Sequence, residues 1–133
     1  MTRVNGRGNA LLALDVVAIG LFVGIGRSVH DHGLSPGGFV STGWPFASGL
    51  VVGWLVLAAL HRSARSFSGG ITLCVATVAI GMALRVIAGQ GTAVAFVFVA
   101  LGFLGSAMLG WRLIDRMLNG QVLERTRRSR ARR

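Results

Sequence analysis

The chain has 133 residues, 53% of them hydrophobic and 14% charged, with a mean hydropathy of +0.66. A soluble domain carries about a quarter charged residues. Here 14 basic residues, all arginine, and four acids leave a net charge of +10, and residues 33–60, 66–84 and 86–111 hold no charged side chain, which excludes an ordinary soluble core and points to membrane spans of about 20 residues each.

The first apolar block, residues 16–26, is too short to span alone. A first helix over residues 10–29 must therefore take in Asp15 and Arg27. A cleavable signal peptide is the competing reading, with Arg3 and Arg7 as its basic start. Asp15 breaks that apolar run and no small-residue cleavage site follows it, so an uncleaved span is expected.

The second helix is expected over residues 44–61. Ser41 and Thr42 are possible caps, and Pro45 suits a first turn, where its missing N–H is harmless. The polar "HRSARSFSGG" then reads as a connection. Residues 71–84 are again too short, so the third helix is expected over 71–88, with Arg85 one turn inside its end and able to snorkel. In "GQGT", Gly89 can close that helix in a left-handed conformation and Thr92 can cap a fourth helix over residues 92–113.

Together these elements predict an all-α integral membrane protein, four transmembrane helices in a compact antiparallel bundle. The bundle domain is 10–114, between an N-terminus at 1–9 and a basic tail at 115–133 that is expected to be disordered from about Arg125. Four spans place both termini on one side. That side holds twelve arginines and the opposite side holds Arg27 and Arg85, so the termini are expected to be cytoplasmic. The all-arginine basic set, with abundant Ala and Gly, suggests a GC-rich bacterial genome and the bacterial inner membrane. Small residues form a ridge on each helix, at Gly20 and Gly24, Gly49 and Gly53, Thr77 and Gly81, and Gly102, Ser106 and Gly110. Such ridges allow close helix approach in lipid.

"ALDVVAIGLFVGIGR", "WPFASGLVVGW", "TVAIGMALR", "GQGTAVAFV" and "GWR" occur in that order over about residues 13–113. Together they resemble the Domain of Unknown Function 3054 family, small four-helix membrane proteins mostly of actinobacteria. The resemblance implies a multispanning bacterial membrane protein and carries over no site residues.

Ionisable side chains inside spans are the default candidates for function. Asp15 lies one turn from the cytoplasmic end, where Arg62 or Arg112 could pair with it. Arg27 and Arg85 share the outer level; they cap helix ends, or with Gln90, Thr92 and Trp44 they form an anion-attracting vestibule. His30, Asp31 and His32 offer too few ligands for a metal. Cys74 has no partner cysteine. No nucleophile–base pair or phosphate loop is visible, so no enzyme, metal or cofactor is expected.

The tail "ERTRRSRARR" is expected to meet anionic lipid headgroups rather than nucleic acid. The sequence leaves the activity of this inner-membrane protein unknown; the leading reading is a small-solute or ion transporter or channel acting as a homo-oligomer. The alternative is a non-transporting subunit that binds a partner protein or anionic lipid.

Overall fold

The computed structural model describes residues 6–29, 33 and 35–131. The described residues form four helices, α1 (Gly6–Val29), α2 (Pro36–Ala59), α3 (Phe67–Ile87) and α4 (Val94–Ala131). All four are long and apolar enough to cross a membrane, with mean hydropathy of 1.5 to 2.0 over the candidate spans. At 1.5 Å per residue, the 24 residues of α2 reach about 36 Å, against about 30 Å of hydrocarbon.

Local chemistry explains where the helices begin and end. Ser35 is the N-cap of α2: its hydroxyl accepts the Gly38 N–H at 3.3 Å, and Pro36 occupies the first turn. The second helix therefore starts at Pro36, not at 44, and Pro45 lies inside it. Ser66 caps α3 by accepting the Gly69 N–H at 3.0 Å, so "FSGG" opens that helix rather than preceding it. α1 begins at Gly6 rather than at residue 10.

Two C-termini close by the same motif. Arg62 donates to the Leu57 carbonyl and His61 to that of Ala58; Gln90 donates to Arg85 and Gly89 to Val86. This is the Schellman pattern, which needs a left-handed residue. Gly89 supplies it at φ 69°, as its sequence suggests, and His61 supplies it at φ 51° without being glycine.

The fourth helix departs most from expectation. Thr92 does not cap it; the Ala93 carbonyl accepts the first bonds, from Phe96 and Val97. Nor does the chain become disordered at Arg125, because α4 runs unbroken to Ala131. No proline interrupts residues 114–131. Glu124 stands four residues before Arg128, a favourable pair, and Arg128 and Arg130 sit in the last turn, where cations complement the helix dipole.

α1 packs on α2, α2 on α3, α3 on α4, and α4 closes the ring on α1. The tightest seam joins α2 and α3. A Cβ at Gly49 would meet the Thr77 carbonyl at 2.7 Å, one at Gly53 would meet Leu73 Cδ2 at 2.9 Å, and one at Gly81 would meet Phe46 Cδ1 at 2.7 Å. As numbers rise along α2 they fall along α3, so the two run antiparallel at near-backbone contact, as small residues permit in lipid. The α4 ridge behaves otherwise: Gly102 and Gly110 meet nothing within 4 Å.

Phe22, Phe46, Phe96 and Phe103 cluster in the core, with Phe22 edge-on to Phe46 at 5.3 Å and tilted against Phe96 at 5.6 Å and Phe103 at 5.7 Å. Outward lie Val16, Val17, Leu21, Leu55, Phe98 and Val99, all exposed. So large an apolar exterior suits lipid contact rather than water.

Candidate functional site

Charged side chains gather at the two ends of the bundle, and they are satisfied differently at each. At one end Asp15, about two and a half turns into α1, faces Arg112 of α4. Both side chains have no solvent exposure. The pairing is bidentate: Arg112 Nη1 donates to Asp15 Oδ1 at 2.8 Å and Nη2 to Oδ2 at 2.7 Å.

Arg112 has five N–H donors, and each has an acceptor. Nη1 also reaches the Met108 carbonyl at 2.7 Å, while Nε and Nη2 converge on the Ala64 carbonyl at 2.9 and 2.8 Å. Trp111 Nε1 donates to Asp15 Oδ1 at 2.9 Å, and the Arg112 guanidinium lies 4.2 Å from the centre of the Trp111 ring. Gly70 of α3 makes the room, since a Cβ there would stand 2.5 Å from Arg112 Cδ. One guanidinium thus ties α1, the α2–α3 loop and α4 together. Buried charges persist only when paired and hydrogen-bonded in this way.

Of the two partners expected for Asp15, the structure selects Arg112. Arg62 lies exposed in the loop and points its Nη2 at the Ser68 hydroxyl, 3.5 Å away. Next to it, Arg65 pairs with Asp115 at 3.4 Å.

The opposite end holds a cavity of about 400 Å³. Its polar lining is Arg27, Ser41, Thr42, Arg85 and Gln90; Phe22, Val23 and Phe96 supply apolar surface. Pro45 shapes this lining from a distance. Lacking an N–H, it leaves the Ser41 carbonyl four residues back without its helical donor. Gln90 Nε2 takes that carbonyl at 2.9 Å, and Gln90 Oε1 in turn accepts Arg85 Nη1 at 3.0 Å. The Arg85 guanidinium carbon stands 4.9 Å from the centre of the Phe96 ring, within cation–π range. Its Nε is buried and has no acceptor among the described residues.

Arg27 is held more closely. Its Nε donates to the Gly33 carbonyl and its Nη1 to Thr42 Oγ1, both at 3.0 Å, and its guanidinium lies against Gly38, where no Cβ would fit.

Arg27, Arg85 and Gln90 therefore share one cavity. Trp44 is exposed and lies outside its lining, as does Thr92. The sequence does not single out Trp111, the Ala64 carbonyl or Phe96. Trp111 and Ala64 lie in quoted segments, next to or two residues from an arginine, and Phe96 is one phenylalanine among seven. His30, Asp31 and His32 lie outside the described residues. Among the described residues no group of three metal-ligating side chains occurs, and Cys74 is a buried thiol in the core.

A family model described as "Protein of unknown function (DUF3054)" matches residues 12–114. No curated protein and no solved structure matches the chain.

Proposed function

The chain belongs to the DUF3054 family of proteins of unknown function, and from that premise we propose that it is a membrane-embedded binding protein rather than an enzyme or a conduit through its own bundle. Its ligand is a small anion carrying an apolar group, taken into the cavity between Arg27 and Arg85. The observation that carries this reading is Arg85: a cation beside a cavity, with a buried Nε that no acceptor among the described residues uses. The Arg85 guanidinium offers charge and directional donors, Arg27 adds positive charge, and Phe22 and Phe96 offer a surface for an apolar body.

Passage straight through one bundle would have to cross Phe46, Leu50, Leu73, Thr77 and Leu104, each at most 2% exposed, and then the closed Asp15–Arg112 pair. The distribution of arginines supports a bacterial plasma-membrane location with both termini cytoplasmic, and hence a cavity that opens outward.

One experiment tests ligand and sidedness together. Ser41 lines the cavity and is exposed, whereas the native Cys74 is buried. A Ser41→Cys variant should react with a membrane-impermeant maleimide in right-side-out vesicles and stay unreactive in inverted ones. Short-chain carboxylates, sulfonates or phosphate monoesters should slow that reaction, and adding Arg85→Gln should remove the protection. Labelling that no anion slows would remove the binding reading; labelling confined to inverted vesicles would reverse the topology.

A further inference from the structure

The Arg112 end carries a second feature on its outer surface. A groove of about 630 Å³ is lined by Ser63, Arg65 and Ser66 of the α2–α3 loop and by Asp115, Arg116 and Asn119 of α4, with Arg112 of the clasp at its inner wall. Phe67, the first residue of α3, also borders this groove. It borders as well a second one, of about 420 Å³, that follows α4 along Gly102, Ser106, Leu109, Gly110 and Leu113. Phe67 is thus common to both linings, which adjoin on the α4 surface.

Their chemistry is opposite. The first offers the Arg65 and Arg116 guanidiniums, the Ser63 hydroxyl and the Asn119 carboxamide, with one carboxylate, Asp115, already taken by Arg65. The second is apolar but for the Ser106 hydroxyl, and it is shallow because glycine and serine leave the α4 surface bare: Gly102 and Gly110 meet nothing within 4 Å. From Gly102 to Leu113 it extends about 16 Å along a helix that crosses the membrane.

We propose that this composite groove is a binding site for one anionic phospholipid. The phosphate sits among Arg65, Arg116, Ser63 and Ser66, and one acyl chain lies past Phe67 against the Gly102–Leu113 face. Basic pockets between transmembrane helices hold anionic headgroups in this manner. Arg65 is loosely held: its bond to Asp115 Oδ2 is long at 3.4 Å, and its side chain is 38% exposed. Arg116 is exposed on the same side. An all-polar partner would leave the apolar stretch uncovered, and an all-apolar one would leave the arginines unmatched. An amphiphile aligned with the bilayer normal meets both.

The test uses the full chain in detergent and native mass spectrometry, with phosphatidylglycerol, phosphatidylcholine and inorganic phosphate as separate probes. The wild-type protein should retain one phosphatidylglycerol in preference to phosphatidylcholine. Arg65→Gln with Arg116→Gln should weaken that retention at least tenfold and leave the folded bundle intact, since the side-chain bonds of Arg112 go to Asp15, Met108 and Ala64 and to neither of these residues. Ser106→Phe fills the apolar groove and should also displace the lipid with both arginines in place. Truncation after Glu124 should leave the bound lipid in place.

Undiminished lipid in the double-arginine variant would overturn the proposal. Binding of inorganic phosphate as tight as that of lipid would do so too, because the apolar half would then be idle. So would loss of lipid on truncation alone, which would assign it to the basic tail, or a Ser106→Phe variant that changes oligomeric state without changing lipid content.

Discussion

Arg112 and Arg85 are both arginines of helices long and apolar enough to cross a membrane, each near an end of the bundle, yet their surroundings differ in kind. Every donor of Arg112 meets an acceptor, two of them on a carboxylate, and the side chain has no exposure. Arg85 has Gln90, a ring face and a cavity. The contrast teaches that an intramembrane charge is read by counting its donors against the acceptors that protein supplies. A closed count marks a clasp, and an open count beside empty volume marks a place for something else.

Breaking the clasp should have the largest effect. Asp15→Ala leaves the Arg112 charge buried and unpaired, which costs about 3–5 kcal/mol. The variant should lose its monodisperse folded peak in detergent or melt far below wild type. Replacing both partners, Asp15→Leu with Arg112→Met, should recover much of that loss, because it removes the stranded charge. A single variant as stable as wild type would erase the distinction between the two ends.

Crowding the clasp without removing it should do less. In Gly70→Ala the new methyl would stand 2.5 Å from Arg112 Cδ and 2.9 Å from Leu109 Cδ2. Overpacking of this kind costs about 1–3 kcal/mol, read as a lowered melting temperature. The smallest change belongs to the open end. Arg85→Lys keeps the cation but loses the planar fork. Its stability should stay within about 1 kcal/mol of wild type, the scale of one hydrogen bond, while anion protection at the cavity falls several-fold. A large loss of stability in this variant would make Arg85 a clasp as well.

The helices were legible because membrane spans are written in the absence of charge, which needs no tertiary knowledge. Their ends were less so. Pro45 reads as a helix start in isolation. It lies inside α2 because the freed Ser41 carbonyl finds Gln90, forty-nine residues away. In the same way Arg62 and Arg112 are equivalent by sequence, since both close a span at the same level. The choice between them rests on Gly70, whose missing side chain leaves space for one guanidinium. The cavity could be foreseen only as a shared level for Arg27, Arg85 and Gln90. Its aromatic lining depends on how α1 and α4 rotate, and a uniformly apolar helix does not specify that rotation. The C-terminal helix is hidden in the sequence because a polar composition resembles disorder, although no proline interrupts the chain after Leu113.

The length of α4 has a mechanical consequence. If some 20 of its 38 residues cross the bilayer, about 18 remain, a rod of about 27 Å standing clear of the lipid. No loop lies between that rod and Trp111 or Arg112, so a tilt or twist imposed near Arg128 travels through hydrogen-bonded backbone to the clasp. The projecting segment is a handle, and the first joint it turns is the one that holds α1 and the α2–α3 loop in place.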